Sequence, residues 1–392
     1  MMAWNTARIE SFCTTGTGGT PSRSRLDRYY EGGTIPWVKS GELRETVIND
    51  TEEHVTEAAL QETNVKLVPA GAVLLAMYGA TVGRLGILGV PATTNQAVCH
   101  IIPDPKTADV RYLFLALSNQ VATIVARGVG GAQPNISQGI VKDLAVPLPP
   151  LPEQRRIAEV LDRAEALRAK RRAALAQLDT LTQSIFLDLF GDPIRNTHGL
   201  PVRPMIDLVD PNRPISYGIL MPGPDQDIGV KYVRVVDMKD SGIELSGVRK
   251  TTEAISNSFR RSLLKPGDLL MSIRGHVGRF AVVPPELDGA NITQDTARLA
   301  IQGVSSVFVR ECLRTEAFQR WMAKHTKGVA VRGINLGDVK QMPIILPSQG
   351  DQDRFARLAI SVDKLKSAHG ASLAKLDALF ASLQHRAFRG EL

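Results

Sequence analysis

Cysteine is scarce. Cys13, Cys99 and Cys312 are the only three in 392 residues, and no two stand in a CxxC spacing. An odd, scattered set argues against a disulfide framework and against a cysteine zinc site. The seven histidines form no HxxxH pair, so no metal is expected. Aromatics amount to 5%, too few for base stacking to be the main mode of binding. No apolar run is long enough to cross a bilayer, and the first residues lack the basic-then-apolar pattern of a signal peptide. A reducing cytoplasm is the expected compartment. Catalytic signatures are missing as well. There is no GxxxxGK[ST], no GxSxG and no HExxH, which removes the P-loop, α/β-hydrolase and zincin chemistries. The Pro-Pro pairs lie in "PLPPLPEQ" and "VVPPEL", with the wrong neighbours for an amino-methyltransferase. No cofactor is expected, and the weight moves from catalysis to binding.

What is present begins with charge. The chain carries a net +7, with a pI near 9.4, which favours an anionic partner. The glycine-rich "GTGGTP" (Gly16 to Pro21) raises the question of a phosphate loop. Pro21 stands where a third glycine would be needed, and no Lys-Ser/Thr pair follows. A tight turn is the expectation there.

The chain also repeats itself. "NISQGIVKDLAVPLPPLPEQRRIAEVLD" returns loosely as "GINLGDVKQMPIILPSQGDQDRFARLAI". An offset of 198 residues carries Leu148-Pro149 onto Leu346-Pro347 and Gln154 onto Gln352. "AGAVLLAMYGATVGR" is echoed by "PGDLLMSIRGHVGR", and "IPWVKSGEL" more faintly by "VKYVRVVDM". The unit is half the protein, a globular block followed by a long helix, which points to a tandem duplication. Where the blocks begin, "CTTGTGGTPSRSRLDRYYEGGTIPW" shows no counterpart in "PNRPISYGILMPGPDQDIGVKY".

Each block reads as α+β. "AGAVLLAM" and "GDLLMSI" read as buried strands. "DVRYLFLALSNQVATIVAR" and "SSVFVRECLRTEAFQRWMAK" read as single amphipathic helices. In the first, Leu113, Leu117, Val121 and Ile124 share a face; Leu313, Phe318, Trp321 and Met322 of the second belong to the core. Between the blocks, Val160, Ala164, Leu167, Ala174, Leu178, Leu181 and Ile185 follow three- and four-residue steps, interrupted by Arg171. The same offset reproduces the stripe as Leu358, Val362, Leu365, Ser372, Leu376, Leu379 and Leu383, with His369 at the interruption. A period of about 3.5 predicts a coiled-coil seam, and two matched seams predict an antiparallel pair of helices, each of about 38 residues and roughly 57 Å. "FGDPIRNTHGLP" ends the first helix with Gly191 and Pro193.

On these stretches the chain resembles, along nearly its whole length, the specificity subunits of type I restriction-modification enzymes. The matching residues are "GGTPSR" and "IPWVKSGEL" at the start of the first block, "LPPLPEQRRIAEVLD" at its end, and "ISYGILMPGP" opening the second. The second copy departs from the Leu-Pro-x-x-Glu-Gln-x-x-Ile pattern, with Asp351 and Phe355 in "LPSQGDQDRFA". The resemblance implies two target recognition domains, 1–150 and 193–347, and two spacer helices, 151–192 and 348–392. It implies a subunit without catalytic activity that reads double-stranded DNA. Two methyltransferase (modification) subunits and, where present, two restriction subunits do the chemistry. It also implies a turn, not a nucleotide site, at "GTGGTP".

Two reading blocks on a helical spacer suit a bipartite site, with half-sites about 34 Å apart along the duplex. Base edges call for Arg, Asn and Gln on short loops, and phosphates for Lys and Arg. The repeated strand-loop supplies Tyr78, Thr81 and Arg84 in the first block, and Arg274, His276 and Arg279 in the second. "TTNQA" and "ITQDT" add Asn95, Gln96, Gln294 and Asp295. "RGVGGAQPN" and "KHTKGVAVRGIN" add Arg127, Gln133, Lys327 and Arg332. Arg84 and Arg279 recur in both copies, which a shared ion pair would equally explain. Glu153, Gln154, Arg155, Asp351 and Gln352 read as structural, charge at the helix starts. Arg163, Arg168, Lys170 and Arg172 lie off the expected seam and could serve the methyltransferase surface. Two other readings stay open: a protein-binding coiled-coil scaffold, and a DNA-modifying enzyme with an unrecognised motif.

Overall fold

The structure, a computed structural model, describes residues 4–44, 47–129, 135–239, 242–328 and 332–392. It divides into two compact units. Unit 1 comprises Met1–Ala169 and Lys375–Leu392, and unit 2 comprises Lys170–Ala374. Both long helices, Leu151–Phe190 and Gln349–Ala387, are therefore shared out between units.

Unit 1 is built on a five-stranded sheet. Its order is Cys13–Thr17, Val98–Pro103, Val73–Ala76, Leu85–Leu88 and Val47–Ile48. Val73 to Ala76 are buried on both faces, which is why the run is continuously apolar instead of alternating. Helix Val110–Ala126 covers the sheet, its start capped by Asp109, which accepts from the Tyr112 amide. A small second sheet sets Ile35–Val38 between His54–Val55 and Thr93–Thr94. Unit 2 repeats this plan. Ser216–Tyr217, Thr296–Leu299, Leu269–Ser272 and Phe280–Val282 form the main sheet, and Val230–Val233 is the centre of the small one. The duplication seen in sequence is thus a duplication of architecture. The expected single helix after Ser305 is instead two, Ser306–Arg314 and Glu316–His325. Thr315 breaks it by turning its hydroxyl to the Phe318 amide as a cap.

"GTGGTP" is a strand running into a loop, not a tight turn. Gly16 lies inside Cys13–Thr17, opposite His100, and none of Gly16, Gly18 and Gly19 has a positive φ. These glycines are there for close approach. A Cβ on Gly16 would stand 2.3 Å from His100 Nε2, and one on Gly18 would stand 1.8 Å from the Thr94 carbonyl oxygen. The block starts, unrelated in sequence, now align. Gly16 pairs with His100 as Ser216 pairs with Arg298. A Cβ on Gly218 would stand the same 1.8 Å from the Ile292 carbonyl oxygen.

His100 is buried, and its Nδ1 has no partner. Desolvation first, then the charge of Lys66, holds its pKa below the usual 6.5. The native state therefore binds fewer protons than the unfolded chain as pH falls through that value, and stability must drop with it. The protection factor of strand Val98–Pro103, its exchange rate corrected for the intrinsic base-catalysed rate, is expected to fall as pH drops below about 6.5, and His100→Gln is expected to flatten that response. A protection factor independent of pH in the wild type would contradict this.

The long helices run antiparallel within each unit, and the seam is the expected one only in part: Ala164, Leu178, Val362 and Leu376 face inward, while several of the leucines between them do not. Leu167 is 53% exposed and Leu365 51%, and Leu181, Leu358 and Leu379 also face outward. The inward stripe is Ile157, Leu161, Ala164, Arg168, Arg171, Leu175, Leu178, Thr182 and Phe186. It faces Phe355, Ala359, Val362, Lys366, His369, Leu373, Leu376, Phe380 and Ala387. Its middle is polar, and the charges are paired across the helices. In unit 1, Arg168 Nε donates to Asp377 at 2.6 Å, and its guanidinium lies 4.4 Å from the Phe380 ring centre. In unit 2, Lys366 meets Asp179 at 3.0 Å and Arg171 meets His369 Nδ1 at 3.1 Å. Arg168 accordingly belongs to the seam, not to an outer surface.

Candidate nucleic-acid interface

In unit 1 three loops are tied to one residue. Strand Val73–Ala76 ends at Met77, whose amide donates to the Ala97 carbonyl at 2.8 Å and whose carbonyl accepts from the Ile136 amide at 2.7 Å. That clasp gathers Tyr78–Arg84, Asn95–Gln96 and the segment around Val129 and Asn135, which are bridged to each other. Gly79 and Gly83 turn the first loop with φ of 78° and 83°, a conformation that favours glycine. Unit 2 repeats the clasp at Ile273, which donates to Asp295 O at 2.8 Å and accepts from the Ile334 amide at 2.9 Å. Gly275 N adds a bond to the Arg332 carbonyl at 3.0 Å.

The clasp places most of the candidate residues around one loop cluster in each unit. Arg274, Gln294, Asp295 and Lys327 line a depression of about 660 Å³ in unit 2. Arg274 reaches the Gln294 side-chain oxygen at 3.5 Å. His276 and Arg332 line a neighbouring hollow of about 490 Å³ with Gln319 and Met322. In unit 1, Tyr78 and Thr81 are half-buried while Arg84, Gln96 and Arg127 are exposed; burial pushes the Tyr78 phenol pKa up. Asn95 serves its own turn, accepting from the Ala97 amide at 3.1 Å. Gln133 lies outside the described residues. Arg84 and Arg279 are exposed, and among the described residues neither has a carboxylate within ion-pairing distance, which removes the shared ion pair as their explanation.

Several neighbours escaped the sequence reading. Thr20 donates its hydroxyl to Gln96, and Arg23 stacks 4.4 Å from the Tyr30 ring while pairing with Glu53 at 2.6 Å. In unit 2, the Ile219 carbonyl accepts the Gln294 amide at 2.9 Å. Only the strand pairing exposes the equivalence of these loops, because Gly18 and Gly218 are nearly all they share in sequence.

Burial pushes the Cys13 and Cys99 thiols up to about 12 and Cys312 higher still, far from a thiolate at neutral pH. Among the described residues no group of three or more His, Cys, Asp or Glu side chains could hold a metal. Among them, too, no helix is long and apolar enough to cross a membrane.

Comparison with known proteins agrees with the duplicated plan. Residues 1–177 match the model of the type I restriction modification DNA specificity domain. The EcoBI specificity subunit of Escherichia coli is 28% identical over 333 residues, 77% of this chain and 70% of that protein. The EcoKI specificity subunit of E. coli K12 is 21% identical over 99% of this chain and 89% of its own length. In fold, the S subunit of a type I restriction-modification system from M. genitalium superposes with a TM-score of 0.61 at 14% identity, covering 98% of this chain and 96% of that one. A chain from a type I R-M system studied for its complex assembly and conformational transition gives 0.59 at 18% identity, covering 100% and 98%. The chain is thus similar in sequence, over its first half most clearly, to the specificity subunits of type I restriction-modification enzymes, and similar to them in fold along its whole length.

Proposed function

We propose that the chain is the DNA-reading subunit of a type I restriction-modification complex. It reads a bipartite, asymmetric target and directs adenine methylation and cleavage by partner subunits. Recognition falls to the blocks 1–150 and 193–347, and the helices at 151–192 and 348–392 space them. The observation that carries this reading is one backbone clasp, built twice, presenting different side chains at equivalent places. Gln96 is held by Thr20 in unit 1, and its equivalent Gln294 is held by Arg274 in unit 2. Two donor sets on one frame select two base patterns, each wrong base costing about 1–3 kcal/mol. Outward leucines supply a docking surface for a modification subunit in each unit, Leu167 and Leu379 in unit 1 and Leu181, Leu358 and Leu365 in unit 2. Restriction subunits join through the modification subunits.

The test is methylome sequencing of a host that expresses the chain with its modification subunit. An asymmetric two-part motif is expected. A palindromic motif defeats the two-pattern reading, and no methylation with intact binding of partner protein favours a scaffold. Lys327 is exposed at the rim of the unit 2 depression. Lys327→Ala is expected to weaken specific and non-specific DNA about equally and to make the salt slope shallower by about 1. An unchanged slope removes Lys327 from the phosphate contacts.

A further inference from the structure

The loop that leaves the main sheet of unit 2 after Tyr217 carries its apolar side chains outward. Met221 is 82% exposed and Leu220 51%. The loop is braced. Thr251 donates its hydroxyl to the Pro222 carbonyl at 2.7 Å, and Lys250 donates its amide to Asp225 at 2.9 Å and its ammonium to the Asp227 carbonyl at 2.7 Å. Two large apolar side chains held in water on a pinned loop offer a favourable gain to whatever covers them.

Position says what covers them. Ile219 N donates to Ile292 O at 2.7 Å, and Gln294 N donates to Ile219 O at 2.9 Å. The two exposed residues follow at once, so the Met221 Cα stands within about 7.6 Å of the Ile219 Cα. They follow directly on the residue bonded to Gln294, which lines a depression with Arg274, Asp295 and Lys327, and the two cations there suit DNA better than an apolar protein face. The equivalent place in unit 1 holds Thr20, whose hydroxyl is engaged by Gln96. One position beside equivalent glutamines is polar in one unit and apolar in the other.

We propose that Leu220 and Met221 form an apolar reading tip that packs against thymine 5-methyl groups in the major groove of the second half-site. The methyl is the one apolar group a base pair offers in that groove, and apolar side chains are its natural readers. This inference rests on the DNA-reading function proposed above.

Deoxyuridine tests it, since it differs from thymidine only by that methyl. The full complex with its modification subunits is titrated against its own methylome-defined target, with the thymines replaced one at a time. At least one replacement in the second half-site is expected to weaken wild-type binding about fourfold, the worth of one buried methyl-sized group. The double variant Leu220→Ser, Met221→Ser is expected to bind the thymine target about fourfold more weakly or worse and to ignore that replacement. First-half-site replacements should affect both proteins alike. A variant that keeps wild-type affinity, or remains equally sensitive to deoxyuridine, overturns the proposal, as does a second half-site without thymine on either strand. If the variant assembles poorly but binds normally once assembled, the tip belongs to a protein contact and the proposal fails. Loss of all specific binding by the wild-type complex would instead sink the DNA-reading function itself.

Discussion

Gln154→Ala is expected to destabilise unit 1 by about 3 kcal/mol, far more than any change at the charged residues beside it. Gln154 is 0% exposed. Its side-chain oxygen accepts the Asp109 amide at 2.9 Å, and its nitrogen donates to Thr107 O at 2.9 Å and Pro149 O at 2.8 Å. One amide thus ties the start of the Val110–Ala126 helix to the start of the long helix. Truncation strands three backbone groups, each costing about 1–3 kcal/mol if unsatisfied, less whatever water recovers. Gln154→Glu should do no better, because a carboxylate cannot donate to two carbonyls. Glu153→Ala, by contrast, breaks only a surface pair with Arg156, worth about 0–1 kcal/mol. Denaturant titration with amide exchange of Val110–Ala126 decides this; equal losses for the Gln154 and Glu153 variants would refute the clasp. Unit 2 repeats the device in Gln352, which accepts from the Ser305 amide at 3.2 Å and donates to Pro347 O at 3.0 Å.

Gln154 also marks what the sequence could and could not disclose. The repeat at an offset of 198 singled out both glutamines, but a repeat carries no information about burial. The neighbouring charges made a helix-dipole role the natural reading. The buried strands were legible because Val73–Ala76 and Leu269–Ser272 are apolar on both faces, a local property. The 3.5-residue spacing finds Ala164, Leu178, Val362 and Leu376 of the seam but also Leu167 and Leu365, which face outward, because leucine alone is no sign of burial. Arg168, Arg171, Lys366 and His369 hold seam positions since their partners sit on the other helix, and pairing of that kind is invisible along a chain. The equivalence of the block starts was hidden for the same reason. Gly18 and Gly218 are glycines because a carbonyl from another strand crowds each of them, while the residues that follow are free to differ. The candidate DNA readers were found as loops, and their convergence on Met77 and Ile273 came only from the fold.

The largest effect is expected from removing residues 375–392, which should unfold unit 1 while leaving unit 2 folded. This segment completes a core that lies mostly at the other end of the chain. Ala387 is fully buried in the cluster that holds Ile9, Tyr112 and Ile157, and Phe380, Leu383, Phe388 and Leu392 pack against it. Trp4 Nε1 donates to the Ala387 carbonyl at 2.8 Å across 383 residues of sequence, and Arg156 to the Leu392 carbonyl at 3.0 Å. Arg168 also loses Asp377 and Phe380, leaving its half-buried guanidinium with Glu165 on its own helix. Each large side chain withdrawn from the core forfeits about 1.5–3 kcal/mol, so the sum approaches the 5–15 kcal/mol that holds a typical domain together. The ordering has a kinetic side too. Closing a loop of more than 200 residues costs only a few kcal/mol of entropy, yet unit 1 cannot complete its core until the last residues exist. Amide exchange of the truncated chain should therefore show Val73–Ala76 and Val98–Pro103 unprotected, with Leu269–Ser272 still slow. Adding a peptide of residues 375–392 in trans should restore protection in unit 1 alone. Native protection throughout the truncated chain would mean that unit 1 is stable without the helix end that closes it.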